Sequence, residues 1–237
     1  MISRQAKEYG AALGLRGRQG YVRGRGSVLG EVDADVVTAA FGFWPADVVR
    51  EAWEGGRAVV DVATAVTAYA DVCRDWGRTR LGATRDPGRL AELLATVVDG
   101  LDVAGLPLFA GWRAVPLPDD DLGRAAQLMH VLREHRGGLH LVAVIATGLT
   151  PLQAILAGPG AAALQNALQG GGGSGNAAFY GWEEPFEDAS AHVAARADAE
   201  SLTDRLVAPA YDALGHDERV ELLDLLRSAA TSAAAPH

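Results

Sequence analysis

Cysteine, lysine and aromatic residues are all scarce in this sequence, and the shortage of cysteine removes a class of chemistry. Cys73 is the only cysteine in 237 residues, which excludes an internal disulfide and leaves no second thiol for a metal site. Its place in a helical pattern reads as a buried, inert thiol rather than a nucleophile. Lys7 is the only lysine, and every other basic residue is arginine. Together with abundant alanine, that bias reads as a high-GC bacterial gene, which concerns codons and not function. The first fifteen residues lack an uninterrupted apolar run, so no signal peptide is expected. Residues 139–164 carry no charge over a length that would span a bilayer, but His140, Pro151, Gln153 and several glycines cut the stretch into short pieces. The expectation is a soluble, cytoplasmic protein with no membrane segment.

Positive charge is also in short supply. The formal charge of −9 argues against a general nucleic-acid binder, because neutralising phosphates takes a basic face. The imbalance is uneven, since residues 1–25 hold Arg4, Lys7, Arg16, Arg18, Arg23 and Arg25 against Glu8 alone. What is plentiful is apolar: 49% of the residues are hydrophobic, enough to bury the core of one large domain or two small ones. Alanine and leucine with few β-branched runs favour a mostly α fold.

Taken in order, residues 2–13 and 15–25 read as two short helices or turns, the second rich in glycine. Arg16 and Arg23 are seven apart, as are Arg18 and Arg25, so a helix there carries two arginine stripes. They are either a solvated face or, at Arg25, an anion contact. Asp33 suits the N-cap of a helix through Ala40. The aromatic cluster Phe41, Phe43 and Trp44 follows as a core corner or a ligand wall, and Pro45 fits the first turn of the next helix. Long helices are expected at 57–77 and 87–100, the latter started by Asp86 and Pro87. Asp119, Asp120 and Asp121 sit where a helix N-terminus favours negative charge, so capping is preferred to a cation site. That helix is expected to run to about His135, with another at 139–147. Thr150 and Pro151 open a helix at 151–157, and one more is expected at 161–169. Residues 170–175 read as a flexible glycine loop without the lysine or strand–loop–helix frame of a phosphate-binding loop. Helices at 183–197, 200–214 and 216–230 complete the chain.

The most concentrated stretch runs from Met129 to His140 and holds Arg133, Arg136 and three histidines; from Gly137 to Trp182 the chain then has no formal charge at all. If residues 129–147 form nearly continuous helix, with a possible kink at Gly137-Gly138, then Met129, Arg133, Arg136, His140, Ala143 and Thr147 share one face. Burying two guanidiniums costs several kcal/mol each unless something meets them. One partner is a set of carboxylates from the N-terminal half. The other is a carboxylate, phosphate or enolate on a small molecule, which the planar guanidinium grips well. His140 would then relay a proton. His135 falls on the other side of the helix with Glu134, as a C-terminal cap or a second catalytic candidate. A metal site fails on geometry, because His130, His135 and His140 step by five, which turns a helical side chain about 140° beyond a full circle.

The order of elements from Arg133 onward, with "GLTPLQ" at 148–153, resembles a MarR-like winged helix-turn-helix module. More widely, "LGLRG" at 13–17, "GRGSVLGEVDADVVTAAFGF" at 24–43, "PLF" at 107–109, "LREHRGGLH" at 132–140, and "ALG" with "ERVELLDLL" near the end are similar to a group of actinobacterial helix-turn-helix proteins of unassigned function. The resemblance implies a fold more firmly than an activity. It also meets departures: residues 151–169 contain no basic residue, the next segment opens Glu183-Glu-Pro-Phe-Glu-Asp188, and residues 195–201, where a β-wing belongs, are acidic and lack a hairpin turn.

The reading is therefore mostly α. An N-terminal helical region, 1–117, packs on a degenerate winged-helix-like region, 118–237. A small anionic ligand is expected between them. Arg133 and Arg136 clamp it, His140 and His135 handle protons, and Arg25, Phe41, Phe43, Trp44 and Trp182 form the walls. No cofactor and no metal are expected. The function is a cofactor-independent acid/base enzyme of isomerase, cyclase or lyase type; the resemblance makes bacterial specialised metabolism its setting. The alternative is a MarR-like, ligand-responsive regulator that binds DNA. The neutral segment 137–182 also suits an interface, in a homodimer or with another partner.

Overall fold

Five helices begin where an Asp or Thr side chain takes up a backbone N–H that the first turn leaves without a partner. In the computed structural model, which describes residues 4–158 and 173–235, these caps are Asp33, Asp61, Asp86, Asp120 and Thr150. Gln153 completes a reciprocal capping box with Thr150. Such caps are worth roughly 0.5–2 kcal/mol each. Pro45 sits one residue earlier than expected, as the N-cap itself.

The helices are α1 (Arg4–Ala12), α2 (Gln19–Gly26), α3 (Ala34–Phe41), α4 (Ala46–Arg57), α5 (Val62–Arg80), α6 (Pro87–Asp99), α7 (Pro107–Arg113) and α8 (Asp121–Ala146). They continue as α9 (Pro151–Leu156), α10 (Gly173–Tyr180), α11 (Val193–Val207) and α12 (His216–Ala234). Short 3-10 turns cover Ser27–Leu29, Ser190–His192 and Ala208–Ala213. No strand occurs among the described residues, so the fold is all-α as expected. The stretch 195–201, the place for a wing, lies inside α11. The helix expected at 161–169 lies outside the described residues. So do residues 170–172 of the glycine run, whereas residues 173–175 form the first turn of α10. Residues 183–189 are not helical, and the acidic helix expected there starts instead at Val193.

Everything is arranged around α8. Twenty-six residues long, it packs against α5, α6, α7, α9 and α11. The largest core gathers Tyr69, Leu90, Leu94, Phe109, Trp112, Leu128 and Val131 with Leu222 and Leu225, so it spans helices from both sides of residue 117. A second core lies under α2, α3 and α4 around Val22, Phe41, Trp44 and Trp53. A third, smaller one joins Val144 near the end of α8 to Leu149, Ala154 and Ala199.

The expected break at Gly137-Gly138 is absent, and α8 runs through it. Two glycines without side chains lower helix propensity, but packing on five neighbours outweighs about 1 kcal/mol per residue. Gly138 is needed for contact: a Cβ there would lie 2.6 Å from Leu106 Cδ2. At Gly137 a Cβ would meet nothing within 4 Å. α5 also crosses α8 closely: a Cβ on Gly77 would sit 2.5 Å from both Ala126 Cβ and the Leu122 carbonyl oxygen.

Two alanine substitutions should therefore have opposite signs. Gly77→Ala is expected to destabilise by about 1–3 kcal/mol through overpacking, and Gly137→Ala to stabilise by roughly 0.5–1 kcal/mol through backbone entropy. Urea denaturation of both checks this; a stabilised Gly77→Ala would mean that α5 and α8 do not meet as described.

Candidate functional site

The site begins with a carboxylate inside the protein. Glu134 points from α8 into the molecule with 1% of its side chain exposed. Its two oxygens accept a bidentate pair from Arg25 of α2, at 2.9 Å from Nε and 2.7 Å from Nη2. Arg133 Nη1 adds a third bond to Oε1 at 2.7 Å. Burial by itself raises a carboxyl pKa; Arg25 above all, with Arg133, reverses the effect and brings Glu134 down to about 2. The Arg25 guanidinium also lies 4.4 Å from the ring centre of Phe41.

Arg25 reaches Glu134 because α2 lies hard against α5. A side chain at Gly24 would come within 2.5 Å of the Tyr69 ring, so the glycines that argue against a helix locally are what let it pack. The expected arginine stripes divide: Arg16 and Arg18 precede α2 and are exposed, whereas Arg23 and Arg25 within it are buried. Arg23 is fully buried, paired bidentately with Glu31 at 3.0 and 2.8 Å and bonded to the Val60 carbonyl. Arg18 donates to the Phe179 carbonyl at 3.1 Å.

Further along α8 is a second charged group. Arg136 donates to Glu200 Oε2 of α11 at 3.1 Å, and Arg196 Nη1 lies 2.7 Å from Glu200 Oε1. His140 stands beside them. Its Nδ1 is 2.8 Å from Thr203 Oγ1, and its ring stacks on Phe43 at 5.7 Å and 20°. The Thr203 hydroxyl gives its one proton to the Ala199 carbonyl at 2.7 Å, so toward His140 it accepts. That assigns the proton to Nδ1 and leaves the Nε2 lone pair open, 4.0 Å from Glu200 Oε1. Burial lowers the pKa of His140, against the pull of Glu200, and keeps the ring neutral near pH 7.

These two groups stand on the wall of one cavity of about 640 Å³. Arg25, Phe41, Phe43, Trp44, Arg133, His135, Arg136 and His140 all line it. Trp182 does not. It donates from Nε1 to the Phe43 backbone carbonyl at 3.0 Å, while Tyr180 is on the wall. His135 is no helix cap, since α8 continues to Ala146; it lies edge-on to Phe109 at 5.0 Å, and burial lowers its pKa. Phe41 and Trp44 are at once core and wall, each about 5% exposed or less.

The carboxylates that meet the arginines come from α8 and α11, not from the N-terminal half. Glu134, Arg196, Glu200 and Thr203 were absent from the sequence-based site. The only advance signal for any of them is the i,i+4 spacing of Arg196 and Glu200. His130 likewise gives no sign of its place. It is buried against Trp112 and Tyr69, neither ring nitrogen has a hydrogen-bond partner, and burial pushes its pKa down to about 3. The three histidines thus face three different surroundings. Among the described residues no group of three or more His, Cys, Asp or Glu is placed to hold a metal ion, and no helix is long and apolar enough to cross a membrane.

Fold and site together define an all-α protein, among the described residues, whose central helix carries charged groups onto the wall of an open cavity. The sequence model of a helix-turn-helix family matches residues 1–236, and the chain belongs to that family. No curated protein and no solved structure matches the chain.

Removing the Glu134 charge should be severe. Glu134→Gln leaves two guanidiniums without a counter-charge and is expected to cost about 3–5 kcal/mol. Because the folded pKa of Glu134 lies below its ordinary 4.5, its contribution is complete above that pH and fades toward about 2. The gap between wild type and Glu134→Gln in urea denaturation should narrow over that range. His130 adds acid lability higher up: neutral in the fold and cationic once unfolded, it withdraws stability as pH falls from 6.5 to about 3. His130→Phe should flatten that part alone. A gap that stays constant down to pH 2 would show Glu134 to be protonated or solvated.

Proposed function

We propose that this protein binds a small anionic molecule in the cavity beside α8 and acts on it by acid–base chemistry without a cofactor. The observation that carries this reading is the charge of the wall. Four guanidiniums, from Arg25, Arg133, Arg136 and Arg196, face two carboxylates, Glu134 and Glu200. With the histidines neutral, the cavity holds two excess positive charges inside a chain whose formal charge is −9. A cleft lined by an excess of one sign of charge focuses that field and favours an anion, and about 640 Å³ is the size of a small-molecule site. His140 is the acid/base group, with its tautomer set by Thr203 and its plane held by Phe43. His135 is the second group on the wall able to carry a proton. Proton transfer with no redox partner suits an isomerase, cyclase or lyase. The similarity to actinobacterial sequences supports a setting in bacterial specialised metabolism.

A second reading follows from the family: a MarR-like regulator that binds DNA and takes its effector in the same cavity. Against it stands the lack of any Lys or Arg from residue 137 to residue 182, which includes the described helices α9 and α10. Half or more of a DNA interface consists of phosphate and sugar contacts, which need cations.

Gly137 offers a test that leaves the charges in place. Gly137→Leu should fill the space in front of the helix and weaken binding of an aromatic carboxylate such as 2-naphthoate about tenfold or more, with helix content unchanged by circular dichroism. Arg133→Gln should weaken it comparably through loss of a charge-assisted bond. Unchanged thermal stabilisation by 2-naphthoate in both variants would remove the cavity as the site. Salt-dependent, submicromolar binding to duplex DNA would favour the regulator instead.

A further inference from the structure

The cavity has two charge centres built on the same plan. In each, one carboxylate is shared by a more buried arginine and a half-exposed one, although Glu200 is 39% exposed and Glu134 only 1%. At the first, Glu134 is held bidentately by Arg25, while Arg133, 48% exposed, spends Nη1 on Oε1 and keeps Nη2 at a long 3.4 Å from the Tyr21 hydroxyl. At the second, Glu200 is approached by Arg196, 14% exposed, and by Arg136, 50% exposed. Arg196 Nη1 is close to Glu200 but out of line for a hydrogen bond, so a buried N–H there lacks an acceptor. Each centre therefore carries one surplus positive charge and donors not yet used.

The two surplus charges do not converge on a single point. Arg133 and Arg136 are three residues apart on α8, yet Arg133 leans to Tyr21 of α2 and Arg136 to Glu200 of α11. From Arg133 to His140 the helix rises about 10 Å. Between the centres lies Gly137, where α8 presents bare backbone to the cavity and a Cβ would meet nothing within 4 Å. Phe41 and Phe43 line the same cavity, Phe41 against the Arg25 guanidinium and Phe43 stacked on His140.

We propose that the ligand is a dianion, with two separate anionic groups joined by a flat apolar body that lies across Gly137. One group meets Arg133 at the Glu134 centre; the other meets Arg136 and Arg196 at the Glu200 centre. This inference rests on the cavity being an anion site. It adds that both ends of the ligand are charged, which makes the second interaction intramolecular and strengthens binding by effective concentration.

Matched probes test it on the unmutated protein by isothermal titration at low salt: 2,6-naphthalenedicarboxylate against 2-naphthoate, and octanedioate against octanoate. In at least one pair the dianion should bind about tenfold or more tightly, well beyond the roughly twofold statistical advantage of two equivalent ends. Arg133→Gln and Arg136→Gln should each bring that dianion to within about twofold of its monoanion. Both arginines are half-exposed, and the thermal transition without ligand reports whether each variant folds. If dianion and monoanion differ by no more than about twofold in both pairs, the two-centre inference is overturned while an anion site stands. If none of the four probes binds, the anion site itself falls, and the inference with it.

Discussion

Burying the Arg25 guanidinium against α8 is tolerable only because Glu134 is buried with it. Either charge without the other would face a desolvation penalty of several kcal/mol. Together they join α2 to α8 across 109 positions of sequence, with two hydrogen bonds in a fixed plane. Much else follows from that junction. Trp112 donates to the Arg25 carbonyl, Phe41 covers the guanidinium, and Gly24 lets α2 approach Tyr69 closely enough for the reach. Tyr69 and Trp112 then close around His130, which is left neutral with neither ring nitrogen bonded.

The same economy of carboxylates makes the cavity electropositive. Glu134 and Glu200 each serve two arginines, so pairing satisfies the geometry of burial without cancelling the charge. Burial keeps His135 and His140 neutral, and a neutral imidazole with an open lone pair accepts protons more readily than an imidazolium. A chain of formal charge −9 thereby carries a net positive cavity wall.

Membership of a helix-turn-helix family places this chain near proteins defined by a shape. Shape and activity separate readily. What α9 and α10 contribute is largely apolar and uncharged: Ala154 closes a small core with Val144, and Tyr180 walls the cavity.

Local chemistry was legible from the residues. Asp33, Asp86, Asp120 and Thr150 announced helix starts, because an N-cap is satisfied by its own neighbours within three residues. The helical periodicity of residues 129–147 likewise placed Arg133, Arg136 and His140 on one face, and all three line the cavity. Gly137-Gly138 misled as a kink, since propensity is a local quantity and α8 is held straight by contacts with five other helices. Glu134 gave no sign of its importance. A glutamate beside an arginine usually lies in solvent, and only the arrival of α2 from more than a hundred residues away buries it. The amino-acid order by itself determined an all-α chain, its caps and the composition of one helical face. Tertiary structure decided which charges would be buried, which carboxylates would meet them and that a cavity would remain between, because each of those depends on the low dielectric made when distant helices close together.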